Sequence, residues 1–178
     1  MKSIAINAIL AQSINTCSAE SLKMKPVMVV TCMALRDDVI TGESYYYREA
    51  KYLKRMLDIV ADDKRVLVVI DEILKGTNTK ERIAASKAIL EYIAGTGCFV
   101  LVATHDNELT ENPKYRNYHF CNEIEGNDIT FDYKIHDGKN TQSNAIELLS
   151  HLGYPDEIVE QARKNIDIIW NDSHGVAE

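Results

Sequence analysis

The sequence predicts an α/β fold: a mostly parallel sheet flanked by helices, followed by an antiparallel hairpin and a small helical appendage. Three observations predict it. Val66-Leu67-Val68-Val69-Ile70 is an apolar, β-branched run, too short for a helix, that ends in Asp71-Glu72, as a strand buried on both faces would read. Segments with helical spacing alternate with such runs through the middle of the chain, and this alternation implies parallel strands joined by right-handed crossovers. Beyond it the pattern changes to apolar and polar residues alternating around Gly126-Asn127-Asp128, and then to two short helical segments.

Each element has its own signal. Residues 2–13 carry Ile4, Ala5, Ala8, Ile9 and Leu10, a helix apolar over much of its surface and therefore expected to be buried. Residues 26–35, with Val27, Met28, Val29 and Val30, read as a strand, and Arg36-Asp37-Asp38 with Thr41-Gly42-Glu43 as a polar loop. Over residues 44–60, Tyr45, Tyr52, Leu53, Met56, Leu57 and Val60 recur at helical spacing, with Ser44 placed to cap the helix. After the strand at Val66, Asn78-Thr79-Lys80-Glu81 has the spacing of a capping box. Ile83, Ala84, Ala88, Ile89, Tyr92 and Ile93 continue it as an amphipathic helix closed by Gly95 and Gly97. Residues 98–103 read as a second buried strand ending at Thr104-His105. Residues 115–124 and 129–136 alternate as a hairpin with one exposed face, expected at an antiparallel sheet edge. Residues 144–151 and 156–170 read as two helices joined by Gly153-Tyr154-Pro155. The expected organisation is a main domain over residues 1–140 and a helical appendage over 141–178.

Composition narrows the function class. At 178 residues, 46% hydrophobic and with three prolines, the chain can bury a core and suits one domain with a small addition. Its apolar runs fall far short of the ~18 residues of a membrane span, and its start has no basic stretch followed by a cleavage site, so no membrane contact and a cytoplasmic location are expected. Cys17, Cys32, Cys98 and Cys121 are scattered, without a C-x-x-C pair, and read as reduced cysteines rather than zinc ligands. His119, His136, His151 and His174 have no companions at metal-site spacing and read as structural or surface residues. A net charge of −7 argues against this chain gripping a nucleic-acid backbone alone. Tyr45, Tyr46 and Tyr47 interleave with Arg48, Lys51, Lys54 and Arg55, a pattern open to base stacking or to a helix with a buried tyrosine edge and a solvated basic face.

The chemistry concentrates where the central strand ends. Open α/β sheets bind ligands at the carboxyl edge of their strands, where this chain places Asp71 and Glu72. In phosphoryl transfer one acid typically holds Mg²⁺ while another group positions the attacking water; Asp71 suits the first role and Glu72 the second. His105, at the end of the next strand, has an imidazole that can donate to a phosphate oxygen or to that water. Ser44, at a helix start, has free backbone N–H groups suited to a γ-phosphate or, equally, to simple capping.

Two blocks carry a family resemblance. Val68-Val69-Ile70-Asp71-Glu72-Ile73-Leu74-Lys75-Gly76-Thr77-Asn78-Thr79, followed by Ala103-Thr104-His105 with Glu108-Leu109-Thr110, is similar to the carboxyl-terminal ATPase domain of the MutS family, a branch of the ABC-type ATPases. The resemblance extends over nearly the whole chain and implies a P-loop NTPase fold, ATP and Mg²⁺ as ligands, and mismatch-repair function. It implies Asp71 as the magnesium-coordinating acid, Glu72 as the water-positioning acid and His105, beside Thr104, as the γ-phosphate switch. Gly76 to Thr79, including Asn78, matches the loop that crosses to the partner subunit. Thr41-Gly42-Glu43-Ser44 matches the signature segment, with Gly42 and Ser44 set to bind the opposite subunit's γ-phosphate. The end of the chain resembles the family's helix-turn-helix, which helps the ATPase domains form a homodimer, and DNA would be contacted through regions outside this chain.

Two departures stand out. No G-x-x-x-x-G-K-[ST] occurs here, and the chain starts already inside its first helix, so it reads as a piece of a longer protein whose phosphate-binding loop lies upstream. The loop reads Lys75-Gly76-Thr77-Asn78-Thr79 where mismatch-repair members usually have Arg-Gly-Thr-Ser-Thr, and Tyr45-Tyr46-Tyr47 replaces Thr-Phe-Met, which points towards a divergent branch. Three functional classes follow: an ATPase module, an interaction module that dimerises through residues 144–170 after losing nucleotide binding, and an unrelated metal-dependent hydrolase using Asp71, Glu72 and His105.

Overall fold

The computed structural model describes residues 1–33, 44–62, 65–125, 128–140 and 144–174. They fall into two compact units, Met1–Tyr115 and Arg116–Glu178. The first holds the sheet: β1 (Met28–Met33), β2 (Val66–Asp71) and β3 (Phe99–Ala103), all parallel, in the order β1-β2-β3. Around it lie α1 (Lys2–Ile14), α2 (Tyr45–Asp62) and α3 (Thr79–Ala94).

β2 is central, and its apolar run is buried from Val66 to Ile70. Side chains alternate across a strand. Val66, Val68 and Ile70 pack in one cluster with Leu53, Met56 and Val60 of α2 and Leu90 and Ile93 of α3. Leu67 and Val69 pack in a second cluster with Ala5 and Ala8 of α1. This two-sided cover is why the strand needs no polar residue until its last position. Each such side chain contributes about 1.5–3 kcal/mol by leaving water. The register sets Met33 and Ala103 on either side of Asp71, so three strands end together around the carboxylate.

Helix α2 departs from its expected apolar stripe. Its buried residues are Glu49, Leu53, Met56 and Val60, while Tyr52 is exposed. A glutamate thus fills the first position of the stripe. Helix α1 is also less buried than its composition suggests: Ala5 and Ala8 face the sheet, mainly β1 and β2, in a single narrow stripe, while Ile4, Ile6 and Ile9 are exposed. The expected loop at Thr41-Gly42-Glu43 and the end of the strand predicted over 26–35 lie outside the described residues.

The second unit contains β4 (Tyr118–His119), β5 (Asn122–Glu125), β6 (Asp128–Phe131), β7 (His136–Asp137), α4 (Ala145–His151) and α5 (Asp156–His174). The expected hairpin is split: β5 pairs with β6 and β4 with β7, as two separate antiparallel ladders rather than an edge of the parallel sheet. The break has a local cause. Asp132 Oδ1 accepts the Lys134 N–H at 2.9 Å, and Tyr133 adopts φ 55°, so a side-chain-closed turn replaces the ladder there. Glu147 and Arg163 pair at 3.7 Å between α4 and α5. Among the described residues no helix is long and apolar enough to cross a membrane.

Of the four cysteines only Cys32 is buried. Burial, with the negative Glu49 nearby as a lesser cause, pushes its thiol up to about 11. The neutral thiol is the form the fold favours, so its contribution is complete below 9.0 and is lost as pH rises through about 11. At pH 8, alkylation of the native chain by iodoacetamide, read by peptide mass spectrometry, is expected to label Cys17, Cys98 and Cys121 well before Cys32; equal labelling rates would contradict the placement of β1.

Candidate functional site

The site is built where β2 runs out. Asp71 closes the strand, half-buried. The Glu72 N–H still donates to the carbonyl of Ala103 at 2.9 Å, extending the ladder one residue before the chain turns away. Glu72 then takes φ 61° and Leu74 φ 56°, left-handed backbone that costs a side-chain-bearing residue of order 1–3 kcal/mol. Ile73 and Leu74 are both buried, which anchors the turn from beneath.

This turn aims the second carboxylate. Glu72 Oε1 lies 3.2 Å from His105 Nε2 and Oε2 lies 3.7 Å from Lys75 Nζ. The carboxylate is 17% exposed and the imidazole 96%, so the acid is sheltered while the histidine that touches it faces solvent. Asp71, Glu72, Thr104 and His105 therefore share one edge of the sheet, as the sequence expects.

Two further contacts fix the β3 side. Thr104 Oγ1 accepts the Asp106 N–H at 3.0 Å. Asp106 Oδ1 in turn accepts from Arg82 of α3 at 2.6 Å, a largely sheltered pair that ties the segment after β3 to the helix beside it. Asn78 caps α3, its side chain accepting from the N–H groups of Lys80 (2.9 Å) and Glu81 (3.3 Å). Ser44 stands at the start of α2, exposed, with Oγ accepting the Tyr47 N–H at 3.3 Å. Gly42 lies outside the described residues. Of the basic and aromatic cluster on α2, Tyr46 and Tyr47 are exposed, Lys51 Nζ sits 5.4 Å from the centre of the Tyr47 ring, and Lys54 pairs with Asp58.

Glu49 is the residue sequence reasoning missed. It lies 25 positions from the turn it supports, and its Oε1 accepts the Leu74 N–H at 2.6 Å. Burial raises its carboxyl above the usual range, partly offset by the amides of Leu74, Lys75 and Gly76 and by the Lys75 ammonium. A signal was available: Glu49 stands four residues before Leu53 on the stripe that continues through Met56 and Val60. Arg82 and Asp106 gave no such signal, because each looks solvated in its own segment.

In the second unit, although His136 has no companion at metal-site spacing in the sequence, Cys121, Asp132 and His136 bring ligand atoms within 4.8 Å of one another. Here His136 Nε2 meets Asp132 Oδ2 at 2.7 Å, and the Lys134 amide, followed by that bond, holds the Asp132 carboxyl below the usual range. Hydrogen bonding of the turn accounts for the approach of His136 to Asp132.

Comparison with known proteins bears on the acid-bearing edge. The profile of the family described as MutS domain V matches residues 1–169. A "DNA mismatch repair protein MutS" from Natronomonas pharaonis is 34% identical over 169 residues, covering 91% of this chain and 19% of the relative. A "DNA mismatch repair protein MutS 2" from Haloarcula marismortui is 31% identical, covering 92% of this chain and 18% of its own. A "DNA mismatch repair protein MutS" from Thermotoga petrophila is 33% identical over 138 residues, covering 75% of this chain and 17% of the relative. The chain thus spans about a fifth of the length of these curated relatives.

Replacing the cap tests the local geometry. Asn78→Ala removes both acceptor contacts at the start of α3 and is expected to lower stability by about 1 kcal/mol in urea unfolding, with Asn78→Asp close to the parent; an unchanged midpoint in the alanine variant would mean the cap is not formed.

Proposed function

This chain belongs to the MutS domain V family, the ATPase domain of MutS mismatch repair proteins, and from that premise we propose that it binds and hydrolyses ATP with Mg²⁺ at a dimer interface. It does so together with a phosphate-binding loop and DNA-contacting regions outside these 178 residues. One observation carries the reading: β2 and β3 end side by side, with Glu72 within 3.2 Å of His105 and Asp71 next to it.

The donor set suits the ligands. Two carboxylates at a strand edge are hard oxygen donors of the kind that bind Mg²⁺ beside phosphates. Asp71 would hold the ion, which when bound neutralises charge on the phosphate oxygens. Glu72, left-handed and sheltered, orients the attacking water and accepts its proton. His105 touches the other side of that carboxylate and is free to swing its exposed ring towards a γ-phosphate, which couples the presence of the phosphate to the orientation of the acid. Ser44 and Gly42 would meet the partner subunit's nucleotide, Thr104 would line the edge beside His105, and Asn78 would belong to the loop that crosses to the partner subunit.

In the full-length protein that contains this chain, Glu72→Gln is expected to keep ATP binding and to lower kcat by about 10²-fold or more. Retention of full, Mg-dependent turnover would remove Glu72 from the reaction.

The helical end supports the dimer. Leu152, Ile158, Ile166 and Ile168 are exposed apolar residues on or beside α4 and α5, available for contact with a second copy. The same observation supports the narrower reading of an interaction module that has lost nucleotide binding. Sedimentation of the chain with Ile166→Asp should shift it from dimer towards monomer; a parent that is already monomeric would dispose of the helical end as the dimer contact.

A further inference from the structure

We propose that Glu49 is a positioning residue that locks the acid-bearing turn to helix α2, so that the helix beginning beside Ser44 and the backbone from Glu72 to Gly76 behave as one body. The proposal deepens the ATPase reading and rests on it for its consequence in turnover, though not for the contact itself.

Glu49 is the one buried carboxylate among the described residues, 2% exposed. A carboxylate inside an apolar cluster is costly unless its oxygens find donors. Its donor is the Leu74 amide at 2.6 Å, with the Lys75 and Gly76 amides and, as a lesser cause, the Lys75 ammonium also favouring the ionised form. Its second oxygen has no hydrogen-bond partner among the described residues. The compensation therefore depends on the turn having this shape. Leu74 is buried with φ 56°, a conformation leucine adopts only under constraint, and the Glu49 bond to its N–H supplies one.

A second contact ties the same two elements without that carboxylate. Gly76 sits so close to the first turn of α2 that a Cβ there would lie 2.9 Å from Tyr45 Cδ1, 2.9 Å from the Tyr46 backbone N and 3.0 Å from Tyr46 Cα. Two of these atoms are backbone and cannot move aside. The start of α2 and the turn after the acids are thus joined twice, by close packing at Gly76 and by a buried hydrogen bond at Leu74. A displacement of α2 on contact between Ser44 and a phosphate would be carried to the backbone that sets Glu72. The path is short: Glu49 is five residues from Ser44, and Leu74 two from Glu72.

Hydrogen exchange of the 178-residue chain reads the lock directly. In Glu49→Ala the amides of Leu74 and Gly76 should exchange about tenfold faster or more. In Glu49→Gln, which keeps one acceptor oxygen, they should be intermediate, while Leu101 in β3 changes little. Unchanged protection at Leu74 in both variants overturns the proposal. If the alanine variant does not fold, the comparison of parent and glutamine variant decides alone. In the full-length protein, kcat should fall in the same order with the KM for ATP within about twofold. Faster amide exchange with unaltered kcat would leave Glu49 a structural residue only and overturn its role in turnover. A parent protein without ATPase activity would defeat the domain reading instead, and the exchange result would still decide whether Glu49 holds the turn.

Discussion

Burial of β2 on both faces is the constraint from which the rest of the first unit follows. A parallel strand covered by helices on each side cannot place a polar side chain anywhere along its covered length without stranding it from water and partners. Val66 to Ile70 obey this, and the first carboxylates the chain can present come where the cover ends, at Asp71 and Glu72. The same burial fixes the register of β1 and β3 against β2, since a one-residue slip would turn Val66, Val68 and Ile70 from one cluster into the other. That register brings Ala103 opposite Asp71 and so delivers Thr104 and His105 to the acids. Packing of apolar side chains on the strand thus decides where polar chemistry can occur.

Past the strand, hydrogen bonds and backbone geometry take over from apolar packing. The Glu72 N–H keeps its β3 partner while its φ turns positive, so the carboxylate leaves the ladder sideways, towards His105 and Lys75, rather than continuing the alternation of the strand. Two left-handed residues within three positions are unfavourable locally, and their cost is offset by burial of Ile73 and Leu74 and by the Glu49 bond. Backbone of this kind gathers where geometry matters more than local stability. Thr104, Asp106 and Arg82 restrain the neighbouring segment by ordinary hydrogen bonds without unusual backbone angles. The site is therefore asymmetric: the acids stand on a constrained turn, and the histidine on a segment whose ring is left open to solvent.

Much of this was legible in the sequence, for identifiable reasons. The strands at Val66 and Phe99 and the capped helix after Asn78 follow from periodicity and capping chemistry, which are local properties, although the expected burial of the second strand does not hold: Phe99 is exposed and the rest of β3 is only half-buried. The approach of His105 to Glu72 was legible because parallel strands ending at one edge bring together residues some thirty positions apart. Glu49 is not legible because a helical stripe shows itself by its apolar members, and a charged residue on such a stripe reads as a solvated neighbour until its partner is known. That partner, Leu74, offers only a backbone amide, which carries no sequence signature. Helix α1 failed for a different reason: an apolar helix composition says what could be buried, and the width of sheet available beneath it decides what is. The divided hairpin turned on Asp132 closing onto the Lys134 amide, a short-range competition that the apolar–polar alternation around it obscures.

Glu49 also explains why a charge, and not a better-packing leucine, suits the head of the α2 stripe. Replacing a buried ionic group with an apolar one of similar volume is often neutral or favourable for stability, so stability alone gives no reason to keep it. An apolar side chain would fill the same space but would leave the Leu74 N–H buried without an acceptor, and the turn would be free to relax out of its left-handed conformation. The carboxylate makes one backbone arrangement much better than its neighbours, because only that arrangement brings the amide to 2.6 Å of Oε1. Beyond offsetting the cost of the turn, it contributes selection among shapes. A turn that must present Glu72 at one angle, beside a helix whose start is exposed at Ser44, has use for that selection.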